Sequence, residues 1–126
     1  MSKKILIIDD EELLTRTYTL LLEKSGFEAY TALNGNDAKA MAEEEDFDLI
    51  ISDIRLPGKD GVKVVEEIQA AHNAKSGKRR IPVIFVTGYC DKEIEKFAAK
   101  LEPIAFLIKP FDNAVLLNFA KGIFSK

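Results

Sequence analysis

Short, almost wholly apolar runs alternate along this chain with longer amphipathic stretches. The short runs are rich in Ile and Val, which is typical of strands covered on both faces. The longer stretches repeat their apolar residues at helical spacing. This alternation predicts strands at about 4–9, 27–31, 48–53, 82–87 and 104–108 and helices at about 11–24, 36–44, 60–73, 91–101 and 112–124.

The same spacing assigns an inward face to each helix. In the third helix either Gln69 or Ala70 completes that face, and Pro57-Gly58 is the turn signal that precedes the helix. The residues assigned to inward faces are Leu13, Leu14, Thr17, Leu20 and Leu21 in the first helix, Ala38, Met41 and Ala42 in the second, Val62, Val65 and Ile68 in the third, and Ile94, Phe97, Ala98 and Leu101 in the fourth.

Successive strand–helix units with right-handed crossovers predict an α/β fold, a doubly wound (βα)5 three-layer sandwich around a parallel five-stranded sheet. The strand order 2-1-3-4-5 of flavodoxin-like folds is a common form, and it places the first and third strands side by side. Because domains most often comprise about 100–150 residues, we expect residues 1–126 to form one domain without an output domain.

Composition narrows the class of protein. An apolar fraction of 47% and a charged fraction of 31% are ordinary for a globular domain. The net charge of -3 gives no electrostatic case for direct nucleic-acid binding. Cys90 is the only cysteine, so an intrachain disulfide and a Cys-based zinc site are excluded. Without a signal peptide or a spanning segment in the sequence, we expect a cytoplasmic protein that does not insert into a membrane.

Chemically active side chains follow four of the predicted strands. Asp9 and Asp10 follow the first strand, Asp53 ends the third, Thr87 ends the fourth and Lys109 follows the fifth. In an open parallel sheet, ligands bind in the crevice outside the carboxyl ends of the strands. We therefore expect these side chains to meet at one site.

Three carboxylates in one small site repel one another unless a cation compensates their charge. Oxygen ligands without His or Cys favour Mg²⁺, which is usually held by one or two carboxylates and a phosphate. Lys109 and Thr87 would bind phosphoryl oxygens, and Asp53 is the central candidate for a nucleophile that forms an aspartyl-phosphate. The only histidine, His72, falls at the far end of the third helix, which makes a zinc site improbable.

These residues resemble the response-regulator receiver domains (CheY-like) of two-component signalling, and the resemblance covers the whole chain. It depends on four motifs that are weak singly and highly specific together. They are Ile7-Ile8-Asp9-Asp10-Glu11, Asp53-Ile54-Arg55-Leu56-Pro57-Gly58-Lys59-Asp60-Gly61, Val86-Thr87-Gly88 and Phe106-Leu107-Ile108-Lys109-Pro110-Phe111.

The resemblance implies a phosphoacceptor rather than an ordinary enzyme. Asp53 would take a phosphoryl group from the phosphohistidine of a sensor histidine kinase or phosphotransfer protein. Asp10 would bind Mg²⁺ directly, Asp9 through water and Arg55 through its backbone carbonyl. Asp53 would be a metal ligand as well. Lys109 would contact the phosphoryl group.

The resemblance also implies a switch. Thr87 would move towards the phosphoryl group and Phe106 would rotate inward behind it, which remodels the surface of the fourth helix, fifth strand and fifth helix for a downstream target protein. The bond between Lys109 and Pro110 would be cis. Two positions depart from the common pattern: Glu102-Pro103 replaces Gly-Ala before the fifth strand, and Arg55 stands at a variable position two residues after Asp53.

Other interpretations remain open from the residues alone. Asp9-Asp10 could cap the first helix, Thr87 could be a turn hydroxyl and Lys109 a solvated charge. An aspartate-nucleophile phosphohydrolase would also use Asp53, Lys109 and Mg²⁺, but it needs a second acid where Arg55 stands. A binding-only adaptor would keep the fold and lose a site residue, and none is lost here. The acidic run 43–46 and the basic residues Lys75, Lys78, Arg79 and Arg80 are expected to be solvated, with docking of an acidic partner as the alternative for the basic group.

Overall fold

The computed structural model describes residues 2–76, 80–88 and 91–124. Strands and helices alternate in it as the apolar pattern predicts. The elements are β1 (Lys4–Ile8), α1 (Glu12–Lys24), β2 (Glu28–Ala32), α2 (Gly35–Glu44), β3 (Leu49–Asp53), β4 (Arg55–Leu56), β5 (Lys59–Asp60), α3 (Gly61–Ser76), β6 (Val83–Thr87), α4 (Lys92–Ala99), β7 (Ala105–Ile108) and α5 (Asn113–Phe124).

The main sheet has five parallel strands in the order β2-β1-β3-β6-β7. This order confirms the predicted 2-1-3-4-5 arrangement. β4 and β5 form a separate antiparallel hairpin that the sequence pattern did not predict. Its turn is the predicted Pro57-Gly58, where Gly58 adopts a left-handed φ of 70° that favours glycine.

Two apolar cores lie on opposite faces of the sheet because strand side chains alternate between the faces. Leu6 and Ile8 of β1 point to the face covered by α2, α3 and α4. Ile5 and Ile7 point to the face covered by α1 and α5. β1 and β3 are therefore buried on both sides, and the three-layer sandwich is confirmed.

The predicted inward face of α1 is largely wrong. Leu13 and Leu20 are 79% and 65% exposed, and Thr17 is also exposed. Leu14 and Leu21 are partly buried, whereas the fully buried positions are Thr15, Tyr18 and Leu22. Leucines occupy several sides of this helix, so spacing alone does not select a face. Tyr18 stacks on Phe111 with ring centroids 6.2 Å apart, and it packs with Leu22 into the core on this face of the sheet.

The other helices follow the prediction more closely. Ala38 of α2 and Val62, Val65 and Ile68 of α3 are buried, and Met41 and Ala42 pack against the same core. In α4, Ala98 is buried with Ile94 and Leu101 against the core, but Phe97 was predicted to face inward and is 37% exposed. The ammonium of Lys100 lies 5.8 Å from its ring centroid, so this phenylalanine packs at the surface.

Gln69, and not Ala70, completes the inward face of α3. Its side-chain amide donates to the backbone carbonyl of Ile81 at 2.5 Å and accepts from the Ile81 N–H at 2.9 Å. A buried polar side chain is tolerated where both of its hydrogen-bonding groups are satisfied. The pair ties α3 to the segment that leads into β6.

Candidate functional site

Parallel pairing brings the ends of four strands to one edge of the sheet. Ile8 pairs with Ser52, so Asp9 and Asp10 follow β1 beside Asp53 at the end of β3. Asp53 pairs with Val86, the residue before Thr87 at the end of β6. β7 ends at Ile108, and the next residue, Lys109, donates its backbone N–H to the Thr87 carbonyl at 2.7 Å. The predicted site residues are therefore neighbours.

Three carboxylates form the floor of this crevice. Carboxylate oxygens of Asp9, Asp10 and Asp53 all lie within 4.8 Å of one another. Asp9 and Asp53 are buried and Asp10 is exposed. Asp9 Oδ1 accepts from the Glu11 N–H at 2.9 Å, and Asp53 Oδ1 accepts from the Arg55 N–H at 3.0 Å. These short-range bonds hold each buried carboxylate in a local turn.

Lys109 is the cation of the site. Its Nζ donates to Asp9 Oδ2 and to Asp53 Oδ2, both at 2.9 Å, and to Glu11 Oε1 at 3.3 Å. Only 12% of the Lys109 side chain is exposed. The peptide bond that joins Lys109 to Pro110 is cis. The ammonium thus lies between the two buried carboxylates.

Burial and ion pairing shift the pKa values of Asp9 and Lys109 in opposite directions. Burial raises the pKa of Asp9, although the bonds from Lys109 and from the Glu11 N–H lower it. Burial lowers the pKa of Lys109, but its hydrogen bonds to Asp9 and Asp53 outweigh burial, so the pKa is raised overall. Lys109 therefore keeps its charge at neutral pH, and one ammonium faces an excess of carboxylates.

This donor set fits a hard divalent cation. The clustered ligands are carboxylate oxygens, and Mg²⁺ prefers oxygen ligands of this kind. The negative excess that Lys109 leaves uncompensated favours a cation at the same place. The exposed Asp10 gives the cluster an open side towards solvent.

Comparison with known proteins decides the family. The sequence pattern of the response regulator receiver domain matches residues 5–121. The chain belongs to the response regulator receiver domain family. Receiver domains are signalling phosphoacceptors of two-component systems rather than classical enzymes, and they bind Mg²⁺ at an acidic pocket. They interact with histidine kinases or phosphotransfer proteins and with downstream targets.

Solved structures of receiver domains are similar to this chain over nearly its whole length. A CheY-like receiver domain protein from Methanospirillum hungatei JF-1 is 30% identical, with 97% of this chain and 93% of that chain covered and a TM-score of 0.85. The chemotaxis protein CheY4 of Vibrio cholerae is 26% identical, with 98% and 100% covered and a TM-score of 0.85. A CheY-like receiver domain from Methylobacillus flagellatus is 26% identical, with 98% and 99% covered and a TM-score of 0.81.

Thr87 and Phe106, which the resemblance predicts to be switch residues, differ in environment. Thr87 is 1% exposed at the end of β6. Phe106 of β7 is half-buried and packs against the core on the α3 and α4 side of the sheet. Thr87 and Phe106 therefore lie on the neighbouring strands β6 and β7, between the carboxylates and α4.

The loop before β7 carries one of the two departures from the family pattern. Glu102 has a φ of 50°, in the left-handed region that favours glycine. Its carboxylate pairs with Arg80 at 2.9 Å, and Arg80 also donates to the Leu101 carbonyl at 3.2 Å. Arg80 is exposed, as expected of the basic run, and its two contacts tie the end of α4 to the segment before β6.

Two residues of the site were not assigned a role from the sequence. Glu11 reaches Lys109, and the only signal for it is a third acidic residue directly after Asp9-Asp10. At Gly61, the first residue of α3, an added Cβ would collide with the backbone carbonyl of Asp53. The sequence motif contains this glycine, but only the fold shows what it approaches.

The remaining candidates lie away from the carboxylates or outside the described residues. His72 is half-buried beside a cavity between α2 and α3 that is also lined by Lys39 and Glu67. Glu45 of the acidic run pairs with Lys4 at 2.6 Å.

In the described ranges no helix is both long and apolar enough to cross a membrane. Cys90, Lys78 and Arg79 lie outside the described residues.

Proposed function

We propose that this receiver domain accepts a phosphoryl group on Asp53 from the phosphohistidine of a sensor histidine kinase or phosphotransfer protein, in the cytoplasm. The observation that carries the proposal is the Lys109 ammonium, held 2.9 Å from an oxygen of Asp53 at an open crevice. Phosphoryl transfer needs positioning and charge neutralisation more than covalent machinery. The crevice supplies both around one carboxylate.

Asp10 and Asp53 would hold Mg²⁺ directly, Asp9 through water and Arg55 through its backbone carbonyl. The clustered carboxylate oxygens and the negative excess around Lys109 support the three carboxylates of this set. Bound there, the cation neutralises charge on the phosphoryl oxygens.

In the transfer step an oxygen of Asp53 attacks phosphorus. The new O–P bond forms as the P–N bond to the donor imidazole breaks, and the imidazole leaves with the bonding electrons. Lys109 donates hydrogen bonds to the phosphoryl oxygens, and the Thr87 hydroxyl donates another after it turns towards them. Water later cleaves the acyl phosphate and restores the carboxylate with release of inorganic phosphate.

The output of this chemistry is a change of surface. Thr87 moves towards the phosphoryl group, and Phe106 rotates inward into the space behind it. The surface formed by α4, β7 and α5 then presents a different shape to a downstream protein target. Exposed apolar side chains already occupy this surface, among them Phe97, Ile108 and Phe119.

Intact mass spectrometry with a small acyl-phosphate donor and Mg²⁺ tests the proposal. We expect a gain of one phosphoryl group that is lost in Asp53→Asn and in a metal-free sample. Asp46→Asn, which removes an exposed acid of the run 43–46, should label as the wild type does. A folded, metal-binding wild type that gains no phosphoryl group would favour the binding-only adaptor, and steady turnover of a small phosphoester would favour the phosphohydrolase.

A further inference from the structure

Glu11 completes the coordination of the Lys109 ammonium. A lysine ammonium has three N–H donors. Among the residues that the structure describes, its acceptors are Asp9, Asp53 and Glu11, at 2.9, 2.9 and 3.3 Å. Asp9 and Asp53 are buried, whereas 60% of the Glu11 side chain is exposed. Glu11 is therefore the solvent-side ligand of the lysine and makes its longest contact.

The position of Glu11 in the chain gives a second observation. Glu11 is the N-cap residue of α1, yet its side chain makes no capping hydrogen bond to that helix. Short polar residues such as Ser, Thr, Asp and Asn are the preferred N-caps because their oxygens reach the free N–H groups. The longer carboxylate of Glu11 instead reaches across to the residue after β7.

Phosphorylation changes the acceptors that surround the Lys109 ammonium. Asp53 loses its negative charge when it becomes an acyl phosphate, and a phosphoryl oxygen must replace it as a partner of Lys109. Asp9 is buried with both oxygens bonded, so it keeps its place. Glu11 is the exposed partner, and its negative charge faces the side from which an anionic phosphoryl group arrives.

We propose that Glu11 is a positioning residue that holds the Lys109 ammonium before phosphorylation and competes with the incoming phosphoryl group for it. This inference rests on the proposed function, since it states that Glu11 slows the phosphorylation of Asp53. The effect is modest because exposed ion pairs are weak: we expect Glu11→Gln to label about two- to fivefold faster than the wild type.

Glu12 provides a matched control. It is the next residue, carries the same charge and lies 3.9 Å from Arg16 rather than at Lys109. Glu12→Gln therefore removes one negative charge from the region without removing the Lys109 contact. Glu11→Asp is a second test variant, because it keeps the charge but shortens the side chain by one methylene and so weakens the Lys109 contact.

Two measurements on wild type, Glu11→Gln, Glu11→Asp and Glu12→Gln decide the matter. The first is the labelling rate with an acyl-phosphate donor at saturating Mg²⁺, by intact mass. The second is hydrogen exchange of the Lys109 ammonium, by ¹⁵N NMR of the unphosphorylated, metal-free protein. We expect faster labelling and faster exchange in both Glu11 variants, and neither in Glu12→Gln.

Equal acceleration in Glu11→Gln and Glu12→Gln would overturn the inference, because it would show a general charge effect. Unchanged ammonium exchange in Glu11→Gln, or slower labelling, would overturn it as well. A wild type that does not label at all would defeat the proposed function and the competition together. The exchange measurement would then still decide whether Glu11 holds Lys109.

Discussion

Burial disfavours the charged form of Asp9 in this crevice. It is 1% exposed, and both of its oxygens accept hydrogen bonds. Burial nevertheless raises its pKa above the ordinary value of 3.8, against the lowering effect of Lys109 and the Glu11 N–H. The ionised carboxylate is thus less favourable in the folded protein than in water.

A neutral isostere at this position should stabilise the metal-free protein. Because the pKa of Asp9 is higher in the folded state than in the unfolded state, the folded protein binds more protons above pH 3.8, and its stability falls as pH rises through the folded pKa. We expect Asp9→Asn to escape this loss, so its gain in the free energy of unfolding grows from near zero below pH 3.8 towards neutral pH. Urea unfolding between pH 3 and pH 7 in the presence of a chelator measures it.

Asp46→Asn is the control for that experiment, since it removes an exposed acid elsewhere. A loss of stability in Asp9→Asn at pH 7 would contradict the prediction. It would show that the bond from Lys109 is worth more than the burial costs.

Arg55 is the residue expected to set the lifetime of the acyl phosphate. Its backbone N–H holds Asp53, and its exposed side chain stands two residues from the phosphoacceptor. A cation there shields the phosphoryl group from attacking water or stabilises its charge. We expect Arg55→Ala to shorten the half-life of the phosphorylated protein severalfold, which corresponds to about 1 kcal/mol in the activation free energy of hydrolysis. Intact mass after removal of the donor follows the decay.

Arg16→Ala removes an exposed cation from α1 and serves as the matched variant. An identical decay rate in Arg55→Ala and wild type would show that Arg55 does not affect the lifetime of the acyl phosphate.

At the junction of β3 and α3 the backbones of the two elements approach closely. Gly61 opens α3 and donates its N–H to the Ile54 carbonyl at 2.6 Å. An added Cβ at Gly61 would meet the Asp53 carbonyl, and backbone cannot move aside as a flexible side chain does. We expect Gly61→Ala to lower the free energy of unfolding by about 1–3 kcal/mol or more and to slow labelling of Asp53.

Gly122 offers the opposite case in the same chain. It lies in α5, and an added Cβ would meet nothing within 4 Å. Gly122→Ala should therefore stabilise the protein by about 0.5–1 kcal/mol, because alanine loses less backbone entropy in a helix. Chemical unfolding of the two variants gives both values. A neutral Gly61→Ala would mean that α3 shifts away from β3 without cost.

Elements whose signal is local could be predicted from the sequence. The apolar runs that become β1, β3, β6 and β7 end at the polar residues that form the site, so the fold and the carboxylate cluster follow from one pattern. The rotation of α1 could not be predicted, because its buried side packs against residues that are distant in the sequence, such as Phe111 beside Tyr18. The contact of Glu11 with Lys109 could not be predicted for the same reason, since the two residues lie 98 positions apart in the sequence.

Over the whole molecule, one acidic crevice lies at the end of a sheet that is packed on both faces. The strands that carry Asp9, Asp53 and Thr87 are central and buried, so the crevice cannot relax its charge by opening without disturbing both cores. The folded state therefore keeps the carboxylates together, and an unfolded chain does not. A cation that binds the cluster must stabilise the fold.

Mg²⁺ should accordingly raise the melting temperature of the intact domain. Binding to the folded state alone adds RT ln(1 + [Mg²⁺]/Kd), about 2.7 kcal/mol at a hundredfold excess over Kd, which corresponds to roughly 10 °C. Asp10→Asn should abolish the shift, because Asp10 is the exposed carboxylate through which the cluster faces solvent. Asp46→Asn should keep it. Differential scanning calorimetry against Mg²⁺ concentration separates the two, and an equal shift in both variants would place the cation elsewhere on the protein.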